Sequence, residues 1–379
     1  MMKTPGQYRL ANTAFFFISG IGYTSWASRI PTIQQQLHLN DAGLGAVLFA
    51  LPVGLMLTMP LTGKLLNTYQ SKQIMLLGAV MYNVMLALPG FVASPWQLAG
   101  VLLFFGSSRN LLNLSCNAQA LAVQGLFKQS IMTTFHAIWS LAGFAGAALG
   151  YVMVYFNVLP SWHLLGMSLL LLALTLFAYP NTMGEQIVKK EQKKLFTLPD
   201  KHLLKFSIIA FISMACENTM YDWSGIYFRH ELHSTKPMAT AAFAVFMTAV
   251  TIGRFTGDRV VGRLGIQRIL RYSSLFIIAG FTMSFVFPFM VSACIGYLLI
   301  GLGVSCIIPF VYSMAGKSKT LSSGSALASI STIGYLGFLL VPPMIGFISQ
   351  AASLRIAFMI MAILGGVMLW MVGYIKEEE

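Results

Sequence analysis

The stretch that decides the fold reads Ala215-Cys216-Glu217-Asn218-Thr219-Met220-Tyr221-Asp222-Trp223-Ser224-Gly225-Ile226-Tyr227, and it continues an apolar run over residues 206–214. Together they are long enough to cross a bilayer, which takes about 20 predominantly apolar residues. A carboxylate at the centre of a membrane helix costs roughly 2.5–3.5 kcal/mol and usually faces an ion or substrate path. We therefore interpret Glu217, near the middle, and Asp222, nearer one end, as candidate proton-coupling residues. The alternative is a structural acid that joins two helices.

The composition is that of an integral membrane protein. Of the 379 residues, 57% are hydrophobic and 9% are charged, whereas soluble domains carry about 25% charged residues. The net charge of +13 reflects the collection of Lys and Arg in cytoplasmic loops, so no nucleic-acid partner is expected. The four cysteines lie in apolar runs without a CxxC or Cys/His cluster, so we expect no metal site and no cofactor.

Candidate membrane spans follow one another along the chain, separated by short loops that contain Pro, Gly, Asn or Ser. They cover residues 10–30, 41–66, 71–92, 96–124, 130–157, 161–180, 203–232, 236–263, 266–288, 290–317, 320–349 and 352–375. The sequence thus predicts an all-α integral membrane protein with twelve transmembrane helices. We expect an N-terminal six-helix bundle over 1–180, a cytoplasmic linker over 181–202 and a C-terminal six-helix bundle over 203–379.

The two halves carry matching residues at a constant spacing. The dipeptides Thr62-Gly63 and Thr256-Gly257 lie 194 positions apart, and so do Gly143-Phe144 and Gly337-Phe338. A spacing that returns this far along the chain indicates an internal duplication into two pseudo-symmetric halves. In transporters, such repeats place the binding site near the bilayer midplane.

Polar residues that share a helix face are candidate solute-binding residues. On the fourth span, Arg109, Asn113 and Asn117 recur at helical spacing, and a permanent cation with amides cannot face lipid. The alternative is an arginine that bonds carbonyl groups as a structural link. His136 is a third candidate for proton coupling, because histidine titrates near neutral pH, although a lone histidine is often an ordinary interior polar group. Further substrate-binding candidates are Tyr23, Trp26, Trp139 and Tyr221.

Two glycine-rich segments join neighbouring spans at their inner ends. The candidate residues of a cytoplasmic gate there are Gly63, Lys64, Arg254, Gly257, Asp258 and Arg259. We expect the glycines to permit tight turns and Asp258 to pair with a neighbouring arginine, forming a clasp that opens and closes. The alternative is a positively charged inner loop with one structural salt bridge.

The spans, the duplication, the basic central loop and the two glycine-rich segments resemble the major facilitator superfamily over nearly the whole chain. Finer motifs resemble the YbjJ-like permeases, a bacterial inner-membrane branch near the fucose:proton symporters. Those motifs are Trp26-Ala27-Ser28-Arg29-Ile30-Pro31, Asn117-Ala118-Gln119, Phe135-His136-Ala137-Ile138-Trp139-Ser140, and Glu217 with Asp222-Trp223-Ser224. Two positions depart from the pattern. Asn67 stands where the first glycine-rich segment usually has an acid, and Asn113 stands where the branch usually has Asp.

The resemblance implies a secondary active transporter of the bacterial inner membrane that works by alternating access. The implied partners are membrane lipid, protons and a small polar solute, such as a sugar or derivative, and we expect a monomer. One alternative is proton-driven efflux of amphiphilic compounds, which the 23 methionines and 28 phenylalanines would suit. A non-transporting receptor is another. No GxSG, HExxH or P-loop motif is present in the sequence, so we expect neither an enzyme nor ATP-driven transport.

The basic residues predict that both termini and the central linker are cytoplasmic, because Lys and Arg concentrate on that side. An impermeant thiol reagent should therefore leave Lys190→Cys unlabelled in intact cells and label it in inverted vesicles. Lys236→Cys, placed at an outer end, should show the opposite pattern and serves as the control. Labelling of Lys190→Cys in intact cells would contradict this topology.

Overall fold

The computed structural model describes residues 3–129, 131–184, 201–315 and 323–375, and the side chains at 201, 202, 258, 315 and 323–328 lie outside that description. Every regular element in these ranges is a helix. The helices are α1 (Pro5–Ala27), α2 (Ile30–Gln36), α3 (Asp41–Leu48), α4 (Ala50–Thr68), α5 (Ser71–Ala87), α6 (Pro95–Gln124), α7 (Met132–Tyr155), α8 (Pro160–Ala178), α9 (Lys201–His230), α10 (Lys236–Leu264), α11 (Ile266–Val286), α12 (Met290–Val304), α13 (Ile307–Ala315), α14 (Ser323–Ala351) and α15 (Leu354–Gly373). The prediction of an all-helical fold is confirmed.

Ten helical segments of the described chain are long and apolar enough to cross a membrane. The two predicted spans outside this set correspond to α1 and α6, which have 23 and 30 residues and are long enough. Both bury many polar residues, among them Asn12 and Ser19 in α1 and Asn110 and Gln119 in α6. These polar residues lower the hydropathy of both helices, so the total of twelve spans stays a prediction.

Prolines explain two interruptions that the span pattern did not predict. The second predicted span is divided at Phe49 between α3 and α4, and the tenth is divided at residues 305–306 between α12 and α13. Proline has no N–H for the carbonyl four residues earlier. Pro52 and Pro309 therefore leave the carbonyls of Leu48 and Ser305 without their helical donor, and the helices break beside these positions.

The chain forms two compact units: Met1–Leu39 with Val47–Glu191, and Asn40–Ala46 with Gln192–Glu379. In the first unit α1 packs against α7, α4 against α6, and α5 against α6 and α8. In the second unit α9 packs against α14, α10 against α12, and α11 against α12 and α15. The neighbours correspond helix by helix, which supports the predicted duplication. The division at 1–180, 181–202 and 203–379 stays a prediction.

The short segment Asn40–Ala46 belongs to the second unit, although the first unit surrounds it in the sequence. The Asp41 carboxylate lies 3.3 Å from Nδ1 of His230 and accepts a hydrogen bond from the Ser349 hydroxyl. A Cβ added at Gly45 would lie 2.5 Å from the backbone carbonyl oxygen of Pro342 in α14. Polar contacts and a close backbone approach thus hold the start of α3.

Two glycines set the distance between α4 and α6. A Cβ at Gly54 would lie 1.8 Å from the carbonyl oxygen of Leu103, and a Cβ at Gly106 would lie 1.9 Å from that of Leu51. Small residues allow membrane helices to approach at backbone contact. This contact lies three residues from Arg109, so it also determines where α6 presents that side chain.

Gly54→Ala should lower the thermal stability of the purified protein, because the added methyl group meets a backbone carbonyl that cannot yield cheaply. Overpacking of this kind costs about 1–3 kcal/mol. Gly100→Ala in α6 is the matched control, since nothing lies within 4 Å of its added Cβ. Equal melting temperatures for the two variants in the same detergent would contradict the packing argument.

Candidate functional site

Arg109 and Tyr23 lie against each other in the first unit. The guanidinium carbon Cζ of Arg109 is 3.7 Å from the centroid of the Tyr23 ring, a cation–π distance. Tyr23 is only 2% exposed, whereas Arg109 is half-buried. A planar guanidinium stacked on a fixed ring has a defined orientation, which a flexible ammonium group would not share. Two of the predicted solute-binding residues are therefore neighbours.

Contacts between α1 and α7 position Trp139 and His136. The hydroxyl of Ser19 accepts a hydrogen bond from Nε1 of Trp139 at 3.4 Å, and the Ser19 carbonyl accepts one from the Tyr82 hydroxyl at 2.9 Å. The ring of Phe16 meets the His136 ring edge-on at a centroid distance of 5.4 Å. His136 remains exposed.

The other candidates of the first unit differ in accessibility. Asn113 and Asn117 are half-buried, and the Asn117 amide donates to the backbone carbonyl of Asn113 at 2.8 Å. Part of the hydrogen-bonding capacity on this face of α6 is thus used within the helix itself. Trp26 is 1% exposed and packs in the interior of the described structure. Its proposed contact with solute stays a prediction.

Glu217 forms an ion pair with Arg254 in the second unit. Oε1 of Glu217 lies 3.2 Å from Nη2 of Arg254, and the two side chains are 17% and 21% exposed. The sequence analysis assigned Arg254 to the gate, whereas this contact joins it in α10 to Glu217 in α9. Both side chains are therefore mostly, but not completely, buried.

A proline and a glycine position Arg254. Its Nε donates to the Ser305 carbonyl at 3.3 Å, the carbonyl whose helical donor is missing because residue 309 is proline. A Cβ at Gly253 would lie 2.2 Å from Oγ of Ser305, so α10 passes this point at close range. The signals for this site are therefore Gly253 and Pro309, which sequence reasoning did not connect with Arg254.

Asp222 and Tyr221 are more deeply buried than Glu217. The Asp222 carboxylate accepts a hydrogen bond from Nδ2 of Asn218 at 3.0 Å, one turn earlier in α9, and the residue is 8% exposed. The Tyr221 ring packs edge-on against Phe243 at a centroid distance of 5.6 Å. A proton carrier needs access to water, which favours Glu217 over Asp222.

The two gate glycines lie inside helices, and the turn that we expected glycine to permit is formed at another glycine of the second segment. Gly63 is in α4 and Gly257 in α10. The left-handed conformation that favours glycine occurs at Gly265, with φ 81°, where a single residue separates α10 from α11. Gly257 instead allows close packing, because a Cβ there would lie 2.3 Å from Sγ of Cys306.

The remaining gate residues lie at the same helix ends. Lys64 and Arg259 are exposed. The side chain of Asp258 lies outside the described residues, so the clasp that we expected it to form stays a prediction. Within the described part of the chain, no three His, Cys, Asp or Glu side chains are grouped as a metal site requires.

A buried pair that sequence reasoning missed joins Arg29 to His163. Nε of Arg29 donates to Nδ1 of His163 at 2.9 Å, and the residues are 1% and 3% exposed. Because Nδ1 accepts this bond, the imidazole is neutral and carries its hydrogen on Nε2. No sequence signal links two residues 134 positions apart.

The helical packing and the polar residues inside it agree with a comparison to known families. The family model described as Major Facilitator Superfamily matches residues 13–321. The chain belongs to the major facilitator superfamily. This membership makes it a multi-pass membrane transporter of small molecules rather than an enzyme. The finer resemblance to the YbjJ-like permeases stays a prediction.

Curated relatives cover nearly the whole chain. An uncharacterized MFS-type transporter of Yersinia pestis is 32% identical over 352 residues, which span 92% of this chain and 91% of the relative. The membrane protein MosC of Rhizobium meliloti is 26% identical over 354 residues, which span 92% of this chain and 86% of the relative. The names of these relatives mention no solute.

Solved structures share the fold at low sequence identity. The nucleoside transporter NupG superposes with a TM-score of 0.77 at 15% identity and covers 98% of this chain and 100% of its own. The E. coli fucose:proton symporter FucP superposes with a TM-score of 0.66 at 16% identity and covers 97% of this chain and 98% of its own. At these identities the likeness concerns the fold alone.

Arg109→Lys should impair transport although it keeps the charge, because lysine lacks the planar group that stacks on Tyr23. Tyr23→Phe keeps the ring and should transport nearly normally, whereas Tyr23→Leu removes the ring and should lose most activity. The measurement is uptake of the solute found by a ligand-stabilisation screen of the purified protein. Wild-type transport in Arg109→Ala, at equal expression, would remove this residue from the site.

Proposed function

We propose that this protein is a proton-coupled secondary transporter that moves a small polar solute across the bacterial inner membrane by alternating access. Family membership supports the transport activity. The ion pair between Glu217 and Arg254 carries the coupling, because ionisable residues within membrane helices mark ion and proton paths. Both helices that hold the pair are among the described segments that are long and apolar enough to cross a membrane.

Glu217 is the proton carrier in this proposal, and Arg254 is its counter-charge. An adjacent cation favours the ionised form of a carboxylate, while removal from water favours the protonated form. A change of conformation that separates the two groups therefore loads a proton, and re-pairing releases it. The partial exposure of both side chains supports a path for the proton. Asp222 and His136 remain the alternative carriers.

The proposed solute is a sugar or a sugar derivative. Aromatic rings can stack on the apolar face of a sugar, and amides and a guanidinium can bond its hydroxyl groups. The proposed binding residues of the first unit are Tyr23, Trp26, Arg109, Asn113, Asn117 and Trp139, and Tyr221 of the second unit is a separate candidate. NupG is a nucleoside transporter and FucP is a fucose:proton symporter. Both of these solutes contain a sugar, which supports the proposed solute class.

The proposal includes twelve spans in two six-helix halves, with both termini in the cytoplasm and a monomeric chain. The matching helix neighbours within each unit support the two halves, and the distribution of Lys and Arg supports the orientation. The proposed direction of transport is inward, as cotransport of the solute with protons implies. Accumulation of radiolabelled sugars in whole cells would support sugar uptake. Efflux of amphiphilic compounds would instead lower the cellular content of those compounds.

Glu217→Gln should abolish accumulation driven by a pH gradient while retaining solute counterflow, because the amide imitates the protonated carboxyl and cannot release a proton. The measurement compares both assays in proteoliposomes. Glu231→Gln is the matched control: Glu231 accepts a hydrogen bond from the Leu354 amide at 2.9 Å, and a glutamine oxygen can accept the same bond. It should leave both assays unchanged.

Gradient-driven uptake at the wild-type rate in Glu217→Gln would contradict the assignment, and Asp222→Asn and His136→Gln would then be tested in the same assays. Loss of counterflow, binding and folding together would indicate that Glu217 is a structural partner of Arg254.

A further inference from the structure

The junction of α10 and α11 carries a cluster of exposed positive charge. Its members are Arg259, Arg263, Arg268 and Arg271, all exposed. Between residues 232 and 376 the sequence contains one acidic residue, Asp258. The cluster, called here the arginine hairpin, therefore has a large excess of positive charge in its own part of the chain.

The spacing of the arginines brings like charges together. Arg259 and Arg263 are four residues apart on α10, and Arg268 and Arg271 are three residues apart on α11, so each pair shares a helix face. Only Gly265 separates the two helices, which brings both pairs to one end of the second unit. Like charges at these spacings destabilise a helix, and an anion bound between them would relieve the repulsion.

The opposite side of the arginine hairpin is anchored in an apolar cluster. Val261 and Ile266 pack against buried Ile269, Cys306 and Phe310, which fixes the turn to α13. The backbone that carries the arginines is thus fixed by this packing. Apolar side chains beside them are also exposed, namely Val260 at 40%, Leu264 at 37% and Tyr272 at 50%. Exposed apolar groups next to cations are typical of the boundary between acyl chains and headgroups.

We propose that the arginine hairpin binds the phosphate of an anionic phospholipid headgroup. The guanidinium fork matches phosphate oxygens in a bidentate geometry, and basic clusters beside membrane helices attract anionic lipids. The neighbouring apolar side chains favour a lipid over a soluble phosphate, because they offer contact to an acyl chain. This inference goes beyond the proposed function, since it depends neither on the solute nor on the direction of transport.

The test is thermal unfolding of the full-length purified chain with added phosphatidylglycerol, phosphatidylcholine or inorganic phosphate. A ligand that binds the folded state raises apparent stability, so phosphatidylglycerol should raise the melting temperature more than the other two. Equal effects of phosphatidylglycerol and phosphatidylcholine would overturn the proposal. Stabilisation by inorganic phosphate that matches phosphatidylglycerol would also overturn it, in favour of a soluble anion.

The double variant Arg268→Gln/Arg271→Gln should bind phosphatidylglycerol about thirtyfold more weakly, from the usual contribution of a basic residue near an anionic surface. Lys64→Gln/Lys128→Gln is the matched control. It removes the same charge from two exposed lysines outside the arginine hairpin and should keep the wild-type response. An equal loss of phosphatidylglycerol binding in both double variants would overturn the proposed site and would indicate general electrostatic attraction instead.

The melting temperature measured without lipid distinguishes a lipid-binding role of the arginines from pairing with acidic residues of the same chain. Arg268→Gln/Arg271→Gln should melt at the wild-type temperature or slightly above it, because the repulsion is relieved. A clear decrease in the melting temperature would indicate that the arginines pair with acidic groups of the chain, such as residues 377–379. That result would overturn the proposal.

Discussion

Keeping a carboxylate and a guanidinium together inside membrane helices is the constraint on which the second unit depends. Removing either charge from water is costly, and the cost is recovered only when the two groups meet in good geometry with further hydrogen bonds. Glu217 and Arg254 meet at 3.2 Å, and the Ser305 carbonyl accepts a further bond from Arg254. Pro309 supplies that acceptor by breaking a helix. A backbone irregularity thus supports a charge pair.

The first unit differs in the residues that contact its arginines. Its described residues include no Asp or Glu, and its arginines meet neutral partners: Arg109 stacks on Tyr23, and Arg29 donates to His163. Among the described residues the carboxylates therefore lie in the second unit, and most of the aromatic and amide candidates lie in the first. This division of chemistry is consistent with separate contributions to coupling and to solute recognition.

Glycine contacts give both units the close helix packing that holds these side chains. Gly54 and Gly106 bring α4 against α6, next to Arg109, and Gly253 brings α10 against Ser305, next to Arg254. A lipid environment offers no hydrophobic force between helices, so van der Waals contact at small residues contributes much of the association. Arg109 therefore lies near a glycine contact with a backbone carbonyl, and Arg254 lies next to a glycine contact with the Ser305 side chain.

The sequence by itself determined the helical fold and named candidate residues for the site. A membrane forces each spanning backbone to satisfy its own hydrogen bonds, so the apolar runs predict helices with nearly correct ends. Helical spacing also predicted the polar face that carries Arg109. Only the tertiary structure decided which side chains meet. Arg254 reaches Glu217 across 37 positions, and Asn40–Ala46 joins the second unit. Periodicity identifies the polar face of a helix, but the partner of that face depends on packing between distant segments.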